Sequence, residues 1–118
     1  MSFTLGLEEI QSGYRIQGEF DLSRILLTLD KLIRFVNMTP AGEWSYRIYG
    51  PEDSIKGGGV GVQGKKDLVE SWVIFSTWPI HGFIRVTLAS CKPYDPIAVK
   101  GFLGKELGQV LQHGSFPI

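Results

Sequence analysis

The sequence predicts an α+β fold, a two-layer sandwich in which two helices cover one face of a mostly antiparallel four-stranded sheet. Two segments carry apolar residues at helical spacing, and four carry the alternating or β-branched pattern of strands. The connection at residues 79–82 has the length of a hairpin turn, which favours antiparallel neighbours. Two helices on the same face of such a sheet would bury both of their apolar sides.

The first two elements are a strand at residues 14–20 and the helix that follows it. Residues 14–20 alternate in character, as in a half-buried strand. Asp21 or Ser23 can cap the helix, and Asn37 and Pro40 end it. Its apolar residues recur at helical spacing: Ile25, Leu26, Leu29, Leu32, Ile33 and Val36.

A second strand and a glycine-rich segment follow. Residues 43–49 alternate aromatic and polar side chains, which predicts a strand. Residues 50–66 are rich in glycine and predict a flexible loop, with a short strand near residues 60–63. Residues 59–64 read G-x-G-x-x-G, but a β-like run follows them instead of the helix that a nucleotide-binding motif needs.

The last three predicted elements are two strands and a helix. Residues 71–78 and 83–90 are strands, and Asp95 and Pro96 supply the cap and first turn of a helix that ends at Gly114. Its apolar residues are Ile97, Val99, Phe102, Leu103, Leu107, Val110 and Leu111. Three glycines fall on one side of this helix, which predicts close approach of a neighbouring element: Gly101, Gly104 and Gly108.

Size and charge limit the classes of function. The sequence has 118 residues, 43% of them hydrophobic, so residues 1–118 fit a single domain. The net charge is zero and the basic residues are scattered, which argues against nucleic acid and an anionic membrane as partners. The sequence contains neither an export signal nor an apolar stretch of about 18 to 20 residues, so we expect a cytoplasmic protein.

Cysteine and histidine are scarce. Cys91 is the only cysteine, so no disulfide can form within the chain. With His81 and His113 as the only histidines, we expect no metal site.

The face of the sheet without helices needs water or a partner to cover it. Four aromatic residues of the predicted strands favour a partner, and therefore a homodimer: Trp44, Tyr46, Trp72 and Trp78.

One set of short motifs points to a known family. The set contains Gly61-Val62 and Gly64, Glu70-Ser71, Thr77-Trp78-Pro79, Gly82, Cys91 and Asp95-Pro96. Their spacing resembles the bacterial and archaeal type of S-adenosylmethionine decarboxylase proenzyme, a small pyruvoyl-dependent enzyme of polyamine biosynthesis. The resemblance extends from residues 18–20 to the last helix, with no gap between Ser71 and Cys91.

The resemblance implies that the chain cleaves itself. The Ser71 hydroxyl would attack the carbonyl of Glu70, and Ser71 would end as a pyruvoyl group that serves as the electron sink for decarboxylation. Cys91 matches the cysteine that donates a proton after carbon dioxide is lost, and Trp78, Trp72 and Ser76 are the expected substrate-binding residues. The implied substrate is an amino-acid-type small molecule, S-adenosylmethionine, or arginine or ornithine as in some relatives.

Several positions depart from the family pattern. Trp72, Ser76 and Ile80 stand where the family has two histidines and a glutamate, and Gln63 replaces a serine that assists cleavage. His81 is the histidine close enough in sequence to serve as a substitute base. The alternative interpretation is therefore an unprocessed, catalytically silent homologue that acts as a binding or oligomer partner.

Overall fold

The structure is a computed structural model, and it describes residues 10–18, 21–50, 61–78 and 82–117. The elements follow in the order β1 (Ile10–Gln17), α1 (Leu22–Phe35), β2 (Ser45–Tyr49), β3 (Gly61–Asp67), β4 (Ser71–Trp78), β5 (Phe83–Ser90), α2 (Pro96–Glu106) and β6 (Val110–Pro117). Among the described residues, neither helix is long and apolar enough to cross a membrane.

The strands form a single sheet in the order β2-β3-β4-β5-β1-β6, and each neighbouring pair is antiparallel. The α+β class with two helices and an antiparallel sheet is therefore confirmed. The expectation of four strands is wrong, because the described sheet has six. The predicted first strand at residues 14–20 also begins too late, since β1 starts at Ile10.

The second helix is shorter than its sequence pattern predicts. Asp95 caps it as expected, and its carboxylate accepts a hydrogen bond from the Ile97 amide at 2.9 Å. The helix ends at Glu106 instead of Gly114, and the chain turns at Gly108, where φ is +155°. Residues 110–117 then form β6 along the edge of β1. Val110 continues the apolar spacing of α2 in the sequence, but the turn at Gly108 places Val110 in β6 and not in the helix.

Two glycines of the glycine-rich segment, Gly61 and Gly64, belong to β3. Residues 51–60 lie outside the described residues. The short strand expected near residues 60–63 is part of β3, but β3 continues to Asp67, so the loop predicted for residues 64–66 is wrong. A Cβ atom at Gly64 would collide with the ring of Phe75, and one at Gly61 would lie 2.9 Å from the Thr77 carbonyl oxygen. Both glycines are therefore explained by close packing between β3 and β4.

The glycines of the second helix have no such explanation. A Cβ atom at Gly101 would meet nothing within 4 Å, and one at Gly104 would lie 3.9 Å from Val110. Gly108 lies beyond the helix. The predicted close approach to this side of α2 is therefore wrong.

The core lies between the sheet and the two helices. Asp21 caps α1, accepting a hydrogen bond from the Arg24 amide at 2.8 Å. Both helices pack on the same face of the sheet, because their buried residues share one cluster with alternate residues of the strands. The helices contribute Ile25, Leu29, Leu32, Ile33, Val99 and Leu103, and the central strands contribute Tyr14, Ile16, Val73, Phe75, Ile84, Val86 and Leu88.

The opposite side of the sheet, here called the helix-free face, carries the alternate set of strand residues. On the three central strands the set includes Gln11, Arg15, Trp72, Ile74, Ser76, Phe83, Arg85, Thr87 and Ala89. Trp44 does not belong to it, because its ring packs edge-on against Phe75 and its indole nitrogen donates to Asp30 of α1 at 2.9 Å. Tyr46 lies opposite Gly64 on the helix side. Two of the four aromatic residues that favoured a dimer, Trp44 and Tyr46, therefore do not lie on the helix-free face.

Candidate active site

The predicted cleavage position lies where β4 begins and β5 ends. Ser71 is the first residue of β4 and stands directly opposite Ser90, the last residue of β5. Alternation along β4 places Ser71 on the same face as Val73 and Phe75, the face that the helices cover. Ser90 is fully buried. The register thus brings the Glu70-Ser71 bond and Cys91, twenty-one residues later than Glu70, to the same end of the sheet.

Cys91 directs both of its donors at the carbonyl oxygen of Glu70. Its backbone amide donates to that oxygen at 3.3 Å, and its thiol donates to the same oxygen at 3.2 Å. This carbonyl belongs to the peptide bond that joins Glu70 to Ser71. Donors placed in this way stabilise the negative charge that develops on a carbonyl oxygen when a nucleophile attacks its carbon. The arrangement would stabilise the oxyanion formed if the adjacent Ser71 hydroxyl attacked this carbonyl.

The side chain of Glu70 holds Glu70 in place through a contact separate from those that Cys91 makes with its carbonyl oxygen. Its carboxylate accepts a hydrogen bond from the Thr39 amide at 3.0 Å, and the Val69 amide donates to the Thr39 carbonyl at 2.9 Å. The bond from Thr39 lowers the pKa of the Glu70 carboxyl below its usual value, and the positive charge of Lys92 lowers it further. Glu70 is thus held as a carboxylate against the segment that follows α1.

Ser90 and Lys92 are neighbours of the site that sequence reasoning missed. The Lys92 amide donates to the Ser90 hydroxyl oxygen at 2.8 Å, and the Lys92 ammonium donates to the Asn37 carbonyl. Asn37 adopts a left-handed conformation with φ of +58°. Together these contacts tie the end of β5 to the turn after α1. The only signal in the sequence is that both residues flank Cys91.

The expected substrate-binding residues do not all meet at this end of the sheet. Trp72 and Ser76 lie on the helix-free face, opposite Ala89 and Arg85 respectively, so the sheet separates them from the Ser71 side chain. Trp78 ends β4 opposite Phe83, at the far end of the strand. His81, the expected substitute base, lies outside the described residues.

Gln63, a further position of interest, also lies away from Glu70. Gln63 stands opposite Ser76 on the helix-free face, so the sheet separates its side chain from that of Ser71. Among the described residues, no group of three or more histidine, cysteine, aspartate or glutamate side chains could hold a metal ion.

The fold is similar to that of a decarboxylase of known structure. The crystal structure of the adenosylmethionine decarboxylase from Aquifex aeolicus VF5 aligns with a TM-score of 0.68 and 17% sequence identity, over 95% of this chain and 89% of that chain. No protein-family model and no curated protein matches the sequence. At this level of identity the similarity shows a distant relationship of fold to an adenosylmethionine decarboxylase.

Proposed function

We propose that this chain is the proenzyme of a pyruvoyl-dependent decarboxylase, similar to S-adenosylmethionine decarboxylase, and that it cleaves itself between Glu70 and Ser71. The observation that carries the proposal is the pair of Cys91 donors at the carbonyl oxygen of Glu70. The fold shared with the Aquifex aeolicus decarboxylase supports it.

The proposed cleavage begins at the Ser71 hydroxyl. Its oxygen bonds to the Glu70 carbonyl carbon while the Cys91 amide and thiol hold the carbonyl oxygen, and the amide nitrogen then leaves with the proton. The product is an ester with a free amine at residue 71. Loss of the Ser71 α-proton breaks the Cβ–O bond and releases the upstream fragment as a carboxylate. The remaining dehydroalanine takes up water and releases ammonia, which leaves a pyruvoyl group.

After cleavage, the pyruvoyl group supplies an electron sink for decarboxylation of an amine-bearing substrate. In that step we assign to Cys91 the donation of a proton to the decarboxylated carbon. The proposed substrate is S-adenosylmethionine, for a role in polyamine biosynthesis, with arginine or ornithine as the alternatives. We also propose a homodimer formed through the helix-free face. Trp72 and Ser76 can contact only a substrate that reaches that face.

A specific observation favours the silent homologue as the second candidate. The histidine within the described residues is His113, which lies in β6, three strands away from Ser71 in the sheet order. A reaction without a positioned general base is typically slower by roughly 10²- to 10⁴-fold. A chain that is processed this slowly would serve as a binding or oligomer partner instead of an enzyme.

Intact-mass spectrometry distinguishes the two candidates. We expect purified protein to accumulate two fragments, residues 1–70 and residues 71–118, the second beginning with a pyruvoyl group. Ser71→Ala should abolish both fragments, whereas Ser45→Ala, an exposed serine at the start of β2, should leave them unchanged. A full-length mass alone after prolonged incubation would refute the proenzyme and favour the silent homologue.

A further inference from the structure

Ser90 carries a buried hydroxyl directly opposite the hydroxyl of Ser71. The two serines are cross-strand partners, and alternation along β4 and β5 places both side chains on the helix side of the sheet. Hydrogen-bonded and non-hydrogen-bonded pairs alternate along an antiparallel ladder. Because the Cys91 amide donates to the Glu70 carbonyl in the next pair, Ser71 and Ser90 form a non-hydrogen-bonded pair, the kind whose Cα atoms are about 4.5 Å apart.

The Ser90 hydroxyl is only partly used by its own segment. Its oxygen accepts a hydrogen bond from the Lys92 amide at 2.8 Å, and this local contact fixes the orientation of the side chain. A serine hydroxyl has one donor and two acceptor sites. Within the described residues, the donor and the second acceptor site of Ser90 have no partner, although Ser90 is fully buried. Buried polar groups in proteins nearly always have their partners, so this hydroxyl has bonding capacity that requires one.

The Ser71 side chain is placed to use this capacity. Ser71 is partly exposed, and its hydroxyl takes part in no hydrogen bond with the described residues. The buried hydroxyls of Ser12 and Tyr14, on the same side of the sheet, are already bonded to each other. Side chains that are directly opposite have Cβ atoms about 4.5–5.5 Å apart, so rotation about the Cα–Cβ bond of Ser71 brings its oxygen to that of Ser90. Catalytic hydrogen bonds often tighten in this way only as the reaction proceeds.

We propose that Ser90 is a positioning residue, which orients the Ser71 hydroxyl for its attack on the Glu70 carbonyl carbon. The Ser90 oxygen accepts the hydrogen bond of the Ser71 hydroxyl, and a lone pair of the Ser71 oxygen then faces the carbonyl carbon. The carbonyl itself points toward the end of β5, because its oxygen accepts both donors of Cys91. Two consecutive residues thus act on the two oxygen atoms of the attack, Cys91 on the carbonyl oxygen and Ser90 on the nucleophile.

This role rests on the proposed self-cleavage and concerns its first step alone. In that step the Ser71 O–H bond breaks, the Ser71 oxygen bonds to the Glu70 carbonyl carbon, the C–N bond breaks, and the proton ends on the nitrogen of residue 71. No other reactant is consumed, and Ser90 is unchanged at the end. A serine hydroxyl is too weak a base to take the proton at neutral pH, so Ser90 orients Ser71 and does not deprotonate it.

The test traps the ester that the first step produces. Hydroxylamine converts an ester into a hydroxamate and an alcohol, so it would release residues 1–70 as a hydroxamate and residues 71–118 with an N-terminal serine. The chain contains no asparagine-glycine bond, which hydroxylamine also cleaves. The full chain is synthesised in a cell-free system, and timed intact-mass spectrometry in hydroxylamine follows the loss of the full-length mass. A parallel sample without hydroxylamine shows whether the pyruvoyl fragment forms.

We expect Ser90→Ala to slow the loss of the full-length mass about tenfold, as for removal of one hydrogen bond of ordinary strength. Ser90→Thr keeps the hydroxyl group and should restore the rate. Ser12→Ala is the matched control and should leave the rate unchanged, because Ser12 is equally buried on the same side of the sheet but bonds to Tyr94. Urea unfolding confirms that each variant is folded.

The outcomes separate this role from the proposed function. An equal rate for Ser90→Ala and the unaltered chain would overturn the role of Ser90 and leave the proenzyme in place, and so would a Ser90→Thr variant no faster than Ser90→Ala. Hydroxylamine fragments that are slowed in Ser90→Ala, without any pyruvoyl fragment, would support Ser90 and refute the decarboxylase. No hydroxylamine fragments from the unaltered chain would overturn both.

Discussion

At the scale of single residues, Cys91 has the clearest chemical assignment, because both of its donors point at one oxygen atom. The backbone amide would remain in any variant, but the thiol can be removed or replaced. Cys91 is exposed and its thiol contributes little packing. Its substitution therefore tests the chemistry of the Glu70 carbonyl with little effect on folding.

Cys91→Ala should slow the appearance of the two cleavage fragments about 10²-fold, since removal of one donor from an oxyanion site typically costs that much. Cys91→Ser keeps a hydroxyl donor at the same position and should restore most of the rate. Timed intact-mass measurements give both rates, and urea unfolding of the two variants serves as the control for folding. Cleavage of Cys91→Ala at the unaltered rate, with the protein folded, would contradict the assignment.

The same residues show how far a sequence predicts a site. The contact between Glu70 and Cys91 depends on the β4–β5 register, which pairs Ser71 with Ser90, and the sequence predicted both strands with their observed bounds. Trp72 and Ser76 stand where the family has histidines and are expected to bind the substrate, but alternation along β4 places them on the helix-free face. Ser90 and Lys92 had no motif to mark them. The Lys92 ammonium contacts Asn37, which is distant in sequence, and Ser90 is linked to the site through the Lys92 amide.

At the scale of elements, a buried group of hydroxyls joins α2 to the sheet. The Tyr14 hydroxyl donates to the Pro96 carbonyl at 2.9 Å and lies 3.0 Å from the Ser12 hydroxyl oxygen, which lies 2.7 Å from the hydroxyl of Tyr94. Tyr94 in turn donates to the Leu88 carbonyl at 3.0 Å. Burial raises the pKa of Tyr14 to about 12, so its hydroxyl keeps its proton at neutral pH.

Tyr14→Phe should lower the free energy of unfolding by about 1–3 kcal/mol, because it leaves buried partners of the lost hydroxyl unsatisfied. Urea denaturation of the full chain measures this change. Tyr46→Phe is the matched control: Tyr46 is 50% exposed, and removal of its hydroxyl should change stability by less than about 0.5 kcal/mol. Similar stabilities for the two variants would show that the hydroxyl group does not anchor α2.

The elements that the sequence predicted are marked by local signals, whereas the elements that it missed depend on contacts between residues distant in sequence. Local signals fixed α1, whose cap at Asp21 and apolar spacing need no partner to be recognised. β6 and β3 depend on distant contacts: β6 exists by pairing with β1, and the glycines of β3 are explained by the ring of Phe75. Val110 continued the helical spacing of α2, and nothing local revealed that the chain had already turned at Gly108.

At the scale of the whole molecule, the two faces of the sheet differ in the residues that they carry and in what covers them. The helix side contains the core, while the helix-free face combines the arginines Arg15, Arg47 and Arg85 with the partly buried apolar residues Trp72 and Ile74. A second copy that packed on this face would remove Trp72 and Ile74 from water. Burial of apolar surface is the main favourable term in association, at about 25 cal/mol for each Å².

We therefore predict a homodimer at micromolar concentration, and light scattering should give twice the mass of one chain. Ile74→Glu places a charge in the centre of the proposed interface and should yield monomers, because burial of an unpaired carboxylate is costly. Leu27→Glu changes an exposed apolar residue of α1, 57% accessible and on the other side of the molecule, and should leave the dimer intact. A monomeric mass for the unaltered chain would refute the dimer, and a dimer that withstands Ile74→Glu would move its interface to another surface.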